Sequence, residues 1–163
     1  MNNSNAVVIG LFHTAIKTAD LVGSLRFYTN ILGLKEVQRP DFGFPGAWLA
    51  CPTPGGAAVI HLYAGGPALS PTGMVPSGSA AIDHVSLACS GFHAFRSRIR
   101  AAGMPWREQV VPGTTMWQLF VYDPSGVQFE LTFEGACELG ELPDMSPGRR
   151  YVAGESFFEV PTP

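Results

Sequence analysis

The sequence predicts an α+β fold made of two βαβββ modules, and three observations carry the prediction. Two alternating, strand-like runs, Leu11 to Lys17 and Ile82 to Cys89, are built around His13 and His84, which stand 71 residues apart. Each run precedes an amphipathic helical stretch that ends at a glycine, Gly33 or Gly103, 70 residues apart. Three more strand-like runs then follow in each half, and the last of them place His61 in VIHLY and Glu130 in VQFEL, 69 residues apart.

Taken in order, the first strand leads to Asp20, a capping residue for a helix whose Leu21, Leu25, Tyr28 and Leu32 share one face. Strands over Lys35 to Arg39, Ala47 to Cys51 and Ala58 to Tyr63 complete the first module, 10–65. The Gly-, Pro- and Ser-rich stretch 66–81 reads as a linker. The second module, 82–134, repeats the order. Ser90 or Gly91 starts a helix with Phe92, Phe95, Ile99 and Ala102 apolar, and strands follow over Trp106 to Val111, Met116 to Tyr122 and Val127 to Phe133. Residues 135–163 read as an irregular tail that packs on the body through Tyr151, Phe157 and Phe158.

Composition narrows the functional classes. Charged residues make up 14% of the chain against roughly 25% in an average soluble domain, and the net charge is −3, which argues against nucleic-acid or acidic-membrane partners. Gly 19 and Pro 14 together supply 33 of 163 residues, favouring short strands and many turns. Cys51, Cys89 and Cys137 show no metal-type spacing and no disulfide framework, so reduced, cytoplasmic residence is expected, with Cys51 and Cys89 packing as small apolar residues. Residues 1–9 lack a basic leader, and no apolar run approaches the roughly 18 residues of a membrane helix.

The functional signal is the recurrence of metal-type side chains at matching points of the repeat: His13 and His61 in one module, His84 and Glu130 in the other. A single histidine in a half-buried strand is ordinarily a hydrogen-bonded core residue, but four such side chains in repeat register outweigh that reading. Two histidines and one carboxylate suit Fe(II), Mn, Ni, Co or Zn and leave coordination positions open for substrate. Glu134 shares strand parity with Glu130, whose register with His61 makes it the better candidate. His93 has no repeat partner and reads as a surface or capping residue. Trp48, Trp117 and Phe120 are candidates to line an aromatic substrate pocket. The turn Asp123-Pro124-Ser125-Gly126 reads as a hairpin.

These motifs, FHTAIKTADLVGSLRFYTNILGL, FGFPGAWLA, VIHLY, DHVSLAC and YDPSGVQFEL, together resemble the vicinal oxygen chelate superfamily, which includes glyoxalase I, extradiol dioxygenases and the fosfomycin and bleomycin resistance proteins. The resemblance implies that the modules form a cupped mixed β-sheet around a metal, with His13, His84 and Glu130 at the recurrent ligand positions and His61 at the variable fourth. Lactoylglutathione lyases commonly carry a glutathione-binding arginine in the stretch where this chain has Asn30, which points away from glutathione. Extradiol dioxygenases often hold a histidine near the equivalent of His61 as acid or base, which fits better. Their usual tyrosine is Phe120 here, with Tyr122 on the same strand face as its substitute. The resemblance thus implies an Fe(II) ring-cleaving dioxygenase acting on a small catechol-like compound, with His61 and Tyr122 as catalytic residues. A glyoxalase-like isomerase or lyase using Mn, Ni, Co or Zn is the alternative, and a non-catalytic drug-sequestering protein the third. A homodimer is expected.

Overall fold

The computed structural model describes residues 10–53 and 56–158; the N-terminal reading of 1–9 and the last five residues of the tail lie outside them. It is an α+β protein of two four-stranded mixed sheets. Strands β1 (Thr14–Lys17), β2 (Lys35–Val37), β3 (Gly46–Ala50) and β4 (Ala58–Tyr63) lie in the order β1-β4-β3-β2. Strands β5 (Val85–Cys89), β6 (Trp106–Val110), β7 (Met116–Tyr122) and β8 (Gln128–Glu134) lie in the order β5-β8-β7-β6. The outer pairs β1–β4 and β5–β8 are parallel and the rest antiparallel. Each parallel pair needs a crossover, and a helix provides it.

The first helix departs from a single regular run. Its α-helical part, α1, spans Leu21–Arg26, with the Asp20 carboxylate accepting from the Gly23 N–H at 2.8 Å. It then widens to a π turn over Phe27–Ile31. The Thr29 hydroxyl donates to the Leu25 carbonyl, and the Leu32 N–H reaches back five residues to the Phe27 carbonyl. A side chain competing for the backbone ladder is a recognised cause of such widening. Its effect is to bury Phe27, Tyr28 and Ile31 together. Helix α2 (Phe92–Ala101) starts after Gly91, but Ser90 does not cap it. The Glu138 carboxylate, 46 residues on, accepts the N–H groups of Gly91 and Phe92 instead.

Alternation gives each sheet one core face and one open face. Ile16, Leu49, Ile60 and Leu62 line the core face of the first sheet, and Leu119, Val121, Phe129 and Leu131 that of the second. The modules join through the helix-bearing faces: the Tyr28 ring packs edge-on against Phe129 at 5.6 Å, and its hydroxyl donates to Asp123 at 2.7 Å. The Asp123 turn does more than reverse the chain, since its carboxylate also accepts the N–H groups of Ser125 and Val127. Removing the hydroxyl leaves a buried acceptor short of a donor, so Tyr28→Phe is expected to cost about 1–3 kcal/mol, read as a lower denaturation midpoint at unchanged slope.

The tail wraps the second module. After a short 3₁₀ turn (Gly135–Cys137), its residues 149–151 bond alongside β6 through the backbone of Glu108. Cys89 lies at the end of β5, where burial first, then nearby Cys51 and Glu138, pushes its thiol up to about 12, so it stays protonated and inert. Among the described residues no helix is long and apolar enough to cross a membrane.

Candidate metal centre and substrate site

The two modules present their metal-type residues in equivalent registers. His61 pairs with Ala15 across β4 and β1, and Glu130 pairs with Ser86 across β8 and β5. His13 and His84 both stand one residue ahead of the first strand of their module rather than within it, as the strands begin at Thr14 and Val85. Glu130 and Phe129 point to opposite faces of β8, so Glu130 lies on the open side, away from the helix-packed core.

In the second module a ring nitrogen and a carboxylate oxygen converge. His84 Nε2 lies 3.4 Å from Glu130 Oε2, while His84 Nδ1 is held by Asp83 Oδ1 at 2.7 Å. The other oxygen of Glu130 accepts from the hydroxyls of Ser86 and Thr132, each at 2.7 Å. One nitrogen and one oxygen are therefore committed to orienting bonds and one of each is left facing the other. Two donors about 2.1 Å from a common ion stand roughly 3.0–3.4 Å apart, and a carboxylate behind a ligating histidine is the usual orienting partner. This pair fits a divalent metal.

In the first module the His13 and His61 rings are stacked, with centroids 3.8 Å apart and planes at 20°, and Trp48 stacks on the other side of His61 at 4.4 Å and 11°. His61 is buried, and burial first, then His13 beside it, lowers its pKa below the ordinary histidine value. Among the described residues His13 Nδ1 is buried without a hydrogen-bond partner, as are His93 Nε2 and Ser125 Oγ, each an unmet donor or acceptor of the kind a metal or a further protein group would satisfy. Among the described residues no three metal-type side chains converge within the protomer; they form two separate pairs.

The remaining candidates divide by strand parity. Trp48, Phe120 and Tyr122 lie on the open faces, Trp48 opposite His61 and Phe120 opposite Glu130. Trp117 does not join them: alternation turns it to the core, where its ring packs edge-on against Phe92 at 5.4 Å. Phe120 is itself covered, by the ring of Tyr151 stacked 3.7 Å above it at 8°. Glu134 is exposed and accepts the Ala136 N–H of the following turn. His93 is neither free at the surface nor a cap. Its Nδ1 bonds Arg96, its ring lies edge-on to Phe92, and Gly140 of the tail lies against its Nε2. Ser86, Thr132 and Asp83 orient the His84–Glu130 pair and are missing from the sequence-based candidates, although their parity with Glu130 and adjacency to His84 are signals available there. Tyr151 carried no such signal, because only the folded tail brings it to the open face.

A family model described as the glyoxalase/bleomycin resistance protein/dioxygenase superfamily matches residues 10–131. A curated relative, glyoxylase I 4 of Arabidopsis thaliana, is 28% identical over 139 residues, covering 82% of this chain and 72% of its own. Solved structures share the fold, among them the following two. The fosfomycin resistance protein FosX of Listeria monocytogenes has a TM-score of 0.58 at 17% identity, over 78% of this chain and 94% of its own. Lactoylglutathione lyase of Agrobacterium tumefaciens has a TM-score of 0.56 at 16% identity, over 79% of this chain and 96% of its own.

Proposed function

The chain belongs to the glyoxalase/bleomycin resistance protein/dioxygenase superfamily, and from that premise we propose that it is a metal-dependent enzyme acting on a small substrate with two adjacent oxygen atoms, in the first instance a ring-cleaving oxygenase of catechol-like compounds using Fe(II). The observation that carries this reading is the difference between the His84–Glu130 pair and the His13–His61 pair. His84 and Glu130 offer converging donors and His13 a third, unmatched one. His61 does not belong to that set. An imidazole lone pair lies in its ring plane, and planes 3.8 Å apart at 20° meet only about 10 Å away, so stacked His13 and His61 do not reach one ion.

When bound, the metal would supply Lewis-acid polarisation of the substrate oxygens and, as iron, redox chemistry with dioxygen. His61 keeps a buried ring beside His13, placed to accept a proton from a substrate hydroxyl and return it to the product. Trp48 stacks on that ring and covers one of its faces, and Tyr122 offers a hydroxyl on the open face of the other sheet.

In this reading the centre is completed by a second copy of the chain, His13 and His61 of one protomer meeting His84 and Glu130 of the other. The modules of one protomer are joined through their helix-bearing faces. Among the described residues β1 and β5 are end strands of their sheets, and large apolar side chains stand exposed just ahead of them, Leu11 at 88%, Phe12 at 79% and Ile82 at 60%. Unpaired strand edges flanked by apolar surface are templates for another chain. A dimeric mass by light scattering at micromolar concentration is expected; a monomer would contradict this assembly.

A second reading, a lyase or isomerase using Mn, Ni, Co or Zn, is favoured by the likeness to glyoxylase I 4 and to the lactoylglutathione lyase. The same residues would then stabilise charge on two adjacent oxygens while His61 shifts a proton. Anaerobic purification with metal analysis, followed by oxygen uptake against a catechol panel and a hemithioacetal isomerisation assay, separates the two. Bound iron with oxygen uptake supports the first reading, and a non-redox metal with isomerisation the second. A protein with neither metal nor turnover overturns both.

A further inference from the structure

Residues 144–158 lie beyond the stretch matched by the family model, yet they are tied firmly to the second module. Glu108, 1% exposed, is the anchor: its carboxylate accepts from Trp106 Nε1 at 2.8 Å and from the Asp144 N–H at 2.7 Å. Its backbone bonds on both sides of Arg150, accepting from the Tyr151 N–H and donating to the Arg149 carbonyl, each at 2.9 Å. Arg149 stacks over the Trp106 ring at 3.6 Å. A buried carboxylate that organises a distant segment in this way fixes the segment rather than letting it fray.

The fixed segment brings Tyr151 onto the open face, flat on Phe120. Phe120 is directly opposite Glu130 and edge-on to the His84 ring at 6.1 Å. Beside this stack, between the tail and the end of the linker, lies a cavity of about 320 Å³, at the small end of the range for ligand pockets. Its walls include Asp83, Tyr122, Gln128, Tyr151, Glu155 and Ser156. Gln128 is two residues before Glu130 on the same face of β8, and Asp83 is the residue bonded to His84. Ala80, in the same wall, has a φ of 53°, and a strained non-glycine backbone persists only where its surroundings hold it.

We propose that the tail builds the substrate-binding pocket beside the His84–Glu130 pair, with Tyr151 as its main contact, and that this pocket selects a neutral hydroxylated ring over an anionic analogue of the same ring. The proposal rests on the reading of His84 and Glu130 as part of the reacting centre. Aromatic walls from Tyr122 and Tyr151 suit a flat ring. Hydroxyl and amide groups of Ser156 and Gln128 suit its oxygens. Gln128 Nε2 donates to the Tyr151 oxygen at 3.4 Å, which leaves the Tyr151 O–H free to donate to a ligand, and burial keeps that phenol protonated. The lining has two carboxylates, Asp83 and Glu155, and no lysine, arginine or histidine among its described residues, so a carboxylate on the ligand meets only like charge among the lining side chains.

The test is calorimetric titration of catechol and of 3,4-dihydroxybenzoate, which differ by one carboxylate, into the full chain as purified and after metal removal. Catechol is expected to bind about tenfold more tightly than 3,4-dihydroxybenzoate in both states. Tyr151→Ala is expected to weaken catechol by about tenfold at unchanged metal content, Tyr151→Phe by less, and Glu155→Gln to narrow the preference between the two probes. Glu155 is exposed, so that variant keeps the test valid even if Tyr151→Ala fails to fold. Equal binding of the two probes by the wild-type chain, or an unchanged preference in Glu155→Gln, would overturn the proposal. Lack of metal in the wild-type chain would instead end the metal reading, and the titrations of metal-free protein would still decide the pocket.

Discussion

Replacing His84 or Glu130 with alanine is expected to abolish stoichiometric metal binding while leaving the fold intact. Both side chains sit on the open face of the second sheet or at its margin, so neither substitution opens a cavity among Phe129, Leu131 and Leu119. Losing either removes one of two converging donors, and the survivor, still oriented by Asp83 or by Ser86 and Thr132, is left with His13 of the other copy alone, too few donors to hold an ion stoichiometrically. Strong acidification should release metal from the wild-type chain as well, because imidazole and carboxylate must be free of protons to ligate. His93→Ala serves as the control and should leave metal content unchanged, since its ring is bonded to Arg96 and covered by the tail. Undiminished metal in both His84→Ala and Glu130→Ala would remove these residues from the centre.

His61→Ala is expected to keep metal and lose turnover by roughly 10²-fold to 10⁴-fold, the usual worth of a positioned acid or base. The stacked arrangement with His13 is the reason metal should survive: His61 orients the ring beside it but does not share an ion with it. If metal and activity fall together, His61 is a ligand after rearrangement, and the lyase reading gains. If both stay at wild-type levels, His61 is a half-buried histidine packed against Trp48 and nothing more. Measuring both quantities on one purified sample keeps these outcomes separate.

Much of the fold was readable because the repeat forces consistency between distant segments. The pairing of His61 with Ala15 and of Glu130 with Ser86 reproduces in strand register what the 69- and 71-residue spacings show in sequence. What escaped the sequence depended on contacts between segments with no periodic relation. The widening of the first helix follows from where the Thr29 hydroxyl finds an acceptor. The cap of α2 comes from Glu138, and the cover over Phe120 from Tyr151, both in a tail with no regular pattern. Trp117 is set apart for a different reason: aromatic residues three positions apart on β7 are chemically alike, and only parity separates Trp117, facing Phe92, from Phe120, facing Glu130's side of the sheet. The equivalence of the four metal-type residues was legible, but not their separation into two pairs, because spacing says nothing of which faces the modules use to join.

The most direct test of a centre shared between two copies is complementation. His13→Ala and His84→Ala, each expected to be inactive and free of bound metal, are purified separately, mixed, briefly dissociated and allowed to reassociate. A site made from His13 of one copy and His84 and Glu130 of the other is intact at one of the two positions in every mixed dimer. Random reassociation should therefore restore about a quarter of the wild-type metal and activity. No recovery after verified exchange of subunits would contradict the account and confine the centre, if there is one, to a single chain.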